Sequence, residues 1–461
     1  MKKVNEKNRE VRFGEKEEKL IRRIGRRYSI SPDKVCSYLN KKEKVVGFGR
    51  GGSESMVLFL KSGRKKEIII RKIVSKKLVT ARWGDKGRGV MLPPTKKALS
   101  QIEYINNLPS EVRKYFPDIC NIKKNTKKDG VVYDQSYVPG LEVSSFIAQY
   151  KPSPKLVAHL YREILLCLKE NVFIHRKISR GNIKTLEVSY FNKIKERLSL
   201  AQKTAPKLFS EQLLDSDYIY INNKKYLNLS NVCEKIKNHR YCKVLEPSSF
   251  CLVVGDTNTE NIKISNIDPL LEAMKTNTFN FKYSDIKLKF LDPRAIGFRT
   301  VGKNTVDDYM YDNKPLHNSL GNYDVIHNEY FDLFMNFKKN IPNIEIHHFE
   351  NHPFKKSYCG VENFFGFIME GGWNVNSKEA LRQDPYWLIR FAFVMGTHFA
   401  AMSPFHFHKN EQGVLMDNYI CQKRPISIYC EGVKWLNHAL RMLNKELDTF
   451  YGVTVPCKFP D

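Results

Sequence analysis

Apolar residues along this chain recur with two periods, and the changes between them mark out its parts. From Glu15 to Arg27, Leu20, Ile21 and Ile24 gather on one side of a charge-rich segment, the spacing of a helix. Ser31, Pro32 and Asp33 place an N-cap before a proline at the first helical position, opening a short helix through Tyr38. From Lys44 the pattern turns to strands. Val45 and Val46 lead into a glycine-rich turn, residues 55–60 resume, Ser62 to Arg64 turn the chain, and residues 67–74 form a third strand. After a Gly- and base-rich connection (80–94), Thr95 to Leu108 carries Leu99, Ile102 and Ile105 as an apolar stripe. Val131 to Val138 reads as a strand closing at Pro139 and Gly140, and Ser153 with Pro154 caps a helix to Glu170 bearing Leu156, Leu160, Ile164 and Leu168.

Residues 171–245 read as helical and basic in their first half, with a short hairpin from Tyr218 to Leu227 turning at Asn222 and Asn223. An apolar run then enters Gly255 and Asp256, a short polar loop follows, and apolar residues resume after Asn261, the layout of a hairpin with that loop at its tip. Alternation from Ile286 makes a later strand that delivers Asp292 at its end, whereas Asp268 and Pro269 lie too near Asn261 to return as a separate strand. Tyr386 to Phe407 is the longest apolar stretch, and Arg390, His398 and Pro404 within it mark a buried helix with its exit rather than a membrane span.

Composition narrows the class. The 461 residues suffice for two or three domains with real cores, and 42% hydrophobic content is that of a globular chain. A formal charge of +28, from 77 basic and 49 acidic side chains, favours anionic partners such as nucleotides, phosphorylated metabolites, nucleic acid or an anionic membrane surface. A proteome rich in Lys, Asn and Ile would give the same excess. Ten cysteines without a CxxC pair, and an N-terminus without a signal-peptide apolar core, lead to the expectation of a reduced, cytoplasmic protein.

Several residues carry candidate chemistry. Gly47, Gly49 and Gly52 fit G-x-G-x-x-G, and Gly51 and Ser53 lie in the same loop. A dinucleotide fold would follow this pattern with a helix and an acidic residue about 20 positions on. Here a strand follows, and the later position is Lys72, in an apolar strand. That order suits a loop whose amides approach phosphates and an ammonium group that neutralises them. The alternative for Lys72 is a snorkelling edge-strand lysine beside Arg71. Glu103, the only acid of its helix, is expected at a buried edge where it could pair with Lys72. The backbone of Tyr137 and Val138, at the close of a strand, could receive an adenine. Asp256 and Asn261, five apart, suit phosphoryl transfer: the carboxylate orients and deprotonates a hydroxyl, and the amide oxygen holds magnesium, with Asp292 as second magnesium ligand. Late histidines (His347, His348, His352, His398, His406, His408) stand among aromatic residues without a matching ligand spacing, and read as core or surface histidines.

Taken in order, Gly47 to Gly52, Lys72, Glu103, Val254-Gly255-Asp256 with Asn261, and Asp292 resemble the aminoglycoside phosphotransferase and choline kinase-like superfamily. Tyr311, Asp312 and Lys314, with His317 to Ser319 and then Tyr323 and Asp324, resemble the branch associated with capsular and other surface-polysaccharide loci. The resemblance spans roughly residues 44–410 and departs in two places: Val254 stands where the superfamily usually has His, and the Asn261–Asp292 separation implies an insertion around 268–284. It implies an α+β, two-lobed protein-kinase-like fold with a small β-rich N-lobe (41–138), a larger mostly helical C-lobe (139–461) and a basic helical extension (1–40). It also implies ATP and magnesium as cofactors, a small hydroxylated acceptor such as a sugar, Asp256 as base, Asn261 and Asp292 on magnesium, and Lys72 with Glu103 as the phosphate-positioning pair. The rival expectation is a nucleotide-binding pseudokinase that docks on nucleic acid through the basic extension. A kinase acting on protein ranks below both, since no Ala-Pro-Glu motif follows Asp292.

Overall fold

The computed structural model describes residues 14–28, 30–40, 42–49, 55–62, 67–75, 94–125, 130–179, 185–293, 299–301, 304–373, 384–407 and 422–459. The chain is a mixed α and β protein that forms two compact units. One gathers the described residues of Met1–Ile102 and Pro117–Tyr137; the other gathers those of Glu103–Phe116, Val138–His408 and Leu415–Asp461.

The first unit is built on an antiparallel five-stranded sheet. Its strands are β1 (Glu43–Phe48), β2 (Met56–Ser62), β3 (Ile68–Ser75), β4 (Ile119–Asn125) and β5 (Gly130–Ser136), in the order β1-β2-β3-β5-β4. Alternation sends Met56, Leu58 and Leu60 to one face, where Ile21, Ile24 and Tyr28 of α1 (Glu15–Tyr28) and Val35 of α2 (Pro32–Cys36) bury them. The amphipathic lead-in is therefore part of this core. On the other face Val74, Val131 and Tyr133 pack against Ala98 and Ile102 of α3 (Pro94–Asn106).

Period two also separates Arg71 from Lys72. Arg71, 4% exposed, lies on the α1 face and binds Asp134 across the ladder at 2.7 and 2.9 Å, Glu43 at 2.6 and 2.9 Å, and the Tyr38 carbonyl at 2.7 Å. Lys72, partly buried, sits between Val57 and Tyr133 on neighbouring strands, on the side of Val74. β3 is central in the sheet, which corrects the edge-strand alternative for Lys72. The strand expected over Val131 to Val138 ends earlier, at Ser136.

The second unit is mostly helical. Ser153 caps α4 (Pro154–Leu168) through a 3.3 Å bond from the Leu156 amide, and Leu156, Leu160, Ile164 and Leu168 are all buried. β7 (Tyr218–Ile221) and β8 (Lys224–Leu227) turn at Asn222 and Asn223, whose φ of +47° and +62° are those of a hairpin turn that Asn tolerates. β11 (Phe331–Lys338) and β12 (Ile341–His348) extend this hairpin into a four-stranded sheet. The apolar stretch expected as a buried helix is α6 (Trp387–Ala400), buried at all fourteen positions. It packs on α7 (Lys423–Leu443) so closely that a Cβ added at Gly396 would lie 2.7 Å from the Leu436 nitrogen, and one at Gly432 2.7 Å from the Ala400 nitrogen. Among the described residues no helix is long and apolar enough to cross a membrane.

The cluster around Arg71 gives a test of the first unit. Arg71→Ala leaves two carboxylates facing each other without their cation, and urea unfolding should show a loss of about 3–5 kcal/mol. A loss under about 1 kcal/mol would mean that solvent screens the cluster as it does a surface pair.

Candidate active site

The segment from Leu252 to Thr257 is buried yet has almost no regular backbone pairing. Leu252, Val253 and Val254 are 0–4% exposed and belong to no strand. They are not one arm of a hairpin closing on residues 262–264, because β9 (Ile262–Ile264) pairs with β10 (Leu288–Phe290) and β6 (Leu141–Glu142). Gly255 takes φ +82°, a left-handed turn that a side chain would strain, and presents Asp256 immediately after it. Buried amides in such a loop need acceptors from elsewhere.

Residues of the Tyr311–Ser319 segment supply them. The Asp312 carboxylate accepts the Val254 amide at 2.6 Å and the Gly255 amide at 2.7 Å, and its carbonyl accepts the Thr257 hydroxyl at 2.7 Å. Burial pushes the Asp312 carboxyl up to about 7, against the pull of those two amides and of Lys314 toward the charged form. Lys314 opens α5 (Lys314–Ser319), is 6% exposed, and places its Nζ 2.7 Å from Asp256 Oδ1 and 3.1 Å from the Gly255 carbonyl. Asn258 donates to the same Oδ1 at 2.9 Å. From another direction the Tyr104 hydroxyl donates to the Val253 carbonyl at 2.6 Å.

Asn261 closes the loop. Its Nδ2 donates to the Asp256 carbonyl at 3.0 Å, which turns the amide oxygen away from that contact. Its own carbonyl accepts the Leu291 amide at 2.9 Å, continuing the Ile262–Phe290 register, so Asp292 follows directly beside Asn261. The intervening residues are taken up by a helix, Asp268–Thr276, with Pro269 in its first turn. An amide oxygen and a carboxylate are hard donors of the kind magnesium takes when phosphates complete its shell. Among the described residues no group of three or more His, Cys, Asp or Glu side chains could hold a metal ion.

The remaining expected residues are placed as follows. Gly47 pairs with Phe59 just after a register shift in β1, with an added Cβ 3.1 Å from the Phe59 ring, and the Gly49 amide still bonds the Val57 carbonyl at 3.0 Å. Gly51, Gly52, Ser53 and His408 lie outside the described residues. Glu103 is exposed, which corrects the buried-edge expectation: Ile102 and Tyr104 beside it occupy the buried side of α3. Tyr137 is 39% exposed and Val138 is buried, both past the end of β5. His398 lies in a ring cluster, 4.2 Å from Tyr311 and 5.0 Å from His317 between centroids, while His347 and His348 end β12. The roles of Asp312 and Lys314 were missed by spacing alone. Their signal was a run of charged and amide residues with no amphipathic period, every one of which is buried.

A second buried chain supports the loop at Thr259. Its amide bonds Asn318 Oδ1 at 3.2 Å and its hydroxyl bonds Asp324 at 3.4 Å; Asn318 Nδ2 and the Tyr358 hydroxyl also donate to Asp324, and Tyr161 donates to Tyr358 at 3.3 Å. Burial, with Glu260 nearby, raises the Asp324 carboxyl to about 7 despite these donors. Unfolded, it titrates near ~3.9, so between these values the native state binds more protons and the stability Asp324 contributes falls as pH rises through about 7. Asp324→Asn removes that titration. Wild-type stability minus variant stability should therefore be greatest at or below about pH 4, fall between about pH 4 and about pH 7 and level off above, read by urea unfolding; a difference that grows with pH would contradict the assignment.

No family model matches the chain, and no curated protein does. Among solved structures it is similar to the crystal structure of the BubR1 kinase domain, at 9% sequence identity and a TM-score of 0.28, over 86% of this chain and 85% of that one. A superposition so loose assigns no residue a role.

Proposed function

We propose that the chain is an ATP- and magnesium-dependent phosphotransferase with a protein-kinase-like fold, acting on a hydroxyl of a small molecule such as a sugar or amino sugar. The observation that carries this reading is the loop from Gly255 to Asn261. It holds a buried carboxylate and a partly buried carboxamide in one braced turn and is hydrogen-bonded to the residue preceding a second carboxylate, Asp292. Asp256 orients the acceptor hydroxyl and takes its proton as the new O–P bond forms and the bond to the ADP oxygen breaks. Asn261 and Asp292 would hold the magnesium ion, which supplies charge neutralisation at the phosphate oxygens. Lys72, on the grounds of its sequence context, is assigned to the nucleotide phosphates. Catalysis of this kind is mostly positioning, which suits a loop braced at Val254, Gly255, Asp256, Thr257 and Thr259. The motifs that resemble the aminoglycoside phosphotransferase and choline kinase-like superfamily support the same chemistry.

Purified protein with ATP and magnesium, screened against hydroxylated metabolites, should release ADP with at least one acceptor. Asp256→Asn should lower that rate by about 100-fold or more, and Asp292→Ala should abolish it. Asn is the informative substitution at Asp256 because it leaves Lys314 an acceptor. An undiminished rate in Asp256→Asn would remove Asp256 from the mechanism.

A further inference from the structure

Two donors, Lys314 Nζ at 2.7 Å and Asn258 Nδ2 at 2.9 Å, converge on the same oxygen of Asp256. Asn258 belongs to the loop itself. Lys314 comes from a helix 58 residues further on. Its side chain is 8% exposed against 5% for Asp256, so water screens the pair weakly. The surroundings leave the ammonium group little other choice of anion. Tyr311 lies beneath it, the ring centroid 5.2 Å away, and the Tyr311 hydroxyl is held by Lys193 at 2.8 Å. His317, one turn along α5, is fully buried and kept neutral by burial and by Lys314 itself. Asp312, the other nearby carboxylate, has both oxygens engaged by the Val254 and Gly255 amides.

From this geometry we infer that Lys314 is a positioning residue for the base. Building on the phosphotransferase reading, it fixes the plane and rotamer of the Asp256 carboxylate, and through the Gly255 carbonyl it fixes the turn that presents it. Two donors converging on one oxygen of the carboxylate narrow the orientations open to its side chain. An error of about 1 Å in a reacting group costs on the order of 100-fold in rate.

The test uses the full-length chain. If Lys314 acts on the base, Lys314→Met should lower kcat by about 100-fold while the KM for ATP stays within about twofold. Lys314→Arg, which keeps a cationic donor, should recover part of the loss. A wild-type kcat in Lys314→Met, or equal loss in the Met and Arg variants, would overturn the role. A melting cycle reads the pairing without turnover. Lys314→Met leaves a buried carboxylate without its cation, so adding Asp256→Asn should raise the melting temperature or restore folding. If Asp256→Asn lowers the melting temperature further by its own separate effect, the pair does not exist. If the wild type releases no ADP with any acceptor, the phosphotransferase reading fails, and the melting cycle still decides whether Lys314 holds Asp256.

Discussion

The bonds from the amides of Val254 and Gly255 to the Asp312 carboxylate are what the rest of the site depends on. Residues 252–257 and Thr259 are buried but lack the ladder that would satisfy their backbone, and an unpaired buried amide costs on the order of 1–3 kcal/mol. One carboxylate settles two such amides, and its own burial is tolerated because both of its oxygens are used. Asp256 is thereby set at the end of a left-handed turn whose geometry no local sequence preference would maintain alone. The loop holds its shape because a distant segment supplies the acceptors.

That segment is itself anchored to the centre of the unit. Asp308 caps the 3-10 turn Tyr309–Asp312 by accepting the Met310 amide at 3.1 Å, and it also takes Arg390 at 2.6 Å and the Tyr190 hydroxyl at 3.1 Å. Arg390 projects from α6, the fully buried helix, and binds Asp384 and the Leu245 carbonyl as well. A path of hydrogen bonds thus runs from the central helix through Asp308 to Asp312 and on to the loop. The charged residue that argued against a membrane span is the one that ties the core to the site. Buried charges of this sort are expensive unless paired, and here Arg390 meets both Asp308 and Asp384.

How much was legible depended on the range of the interaction. The helix from Glu15, the cap at Ser153, the Asn222–Asn223 turn and the strands around Lys72 follow from periods and dihedral preferences within a few residues, and they stand where the pattern put them. The strand leading to Asp292 was legible for the same reason, although it ends at Phe290, whereas the helix from Asp268, with Pro269 in its first turn, was not expected. Two expectations failed where tertiary context overruled the local pattern, and one alternative reading, that of Lys72 on an edge strand, fell with them. Leu252 to Val254, apolar enough for a strand, finds its partners one bond at a time instead. Glu103 sits on the open side of its helix because Ile102 and Tyr104 occupy the buried side. Lys72 lies on a central strand because β5 returns beside β3, a pairing set by chain topology.

The sequence by itself determined which residues could do chemistry: an Asp and an Asn five apart after a glycine, a later Asp at a strand end, and a lysine in an early strand. Residue type and short spacing are local properties and survive any fold. Only the tertiary structure decided how the loop is held, because Asp312, Lys314 and Asn318 reach it from more than fifty positions away, through bonds of 2.6–3.2 Å that no periodicity records. Burial makes those contacts matter. In water the same groups would exchange partners freely, whereas inside the unit each must keep the one it has.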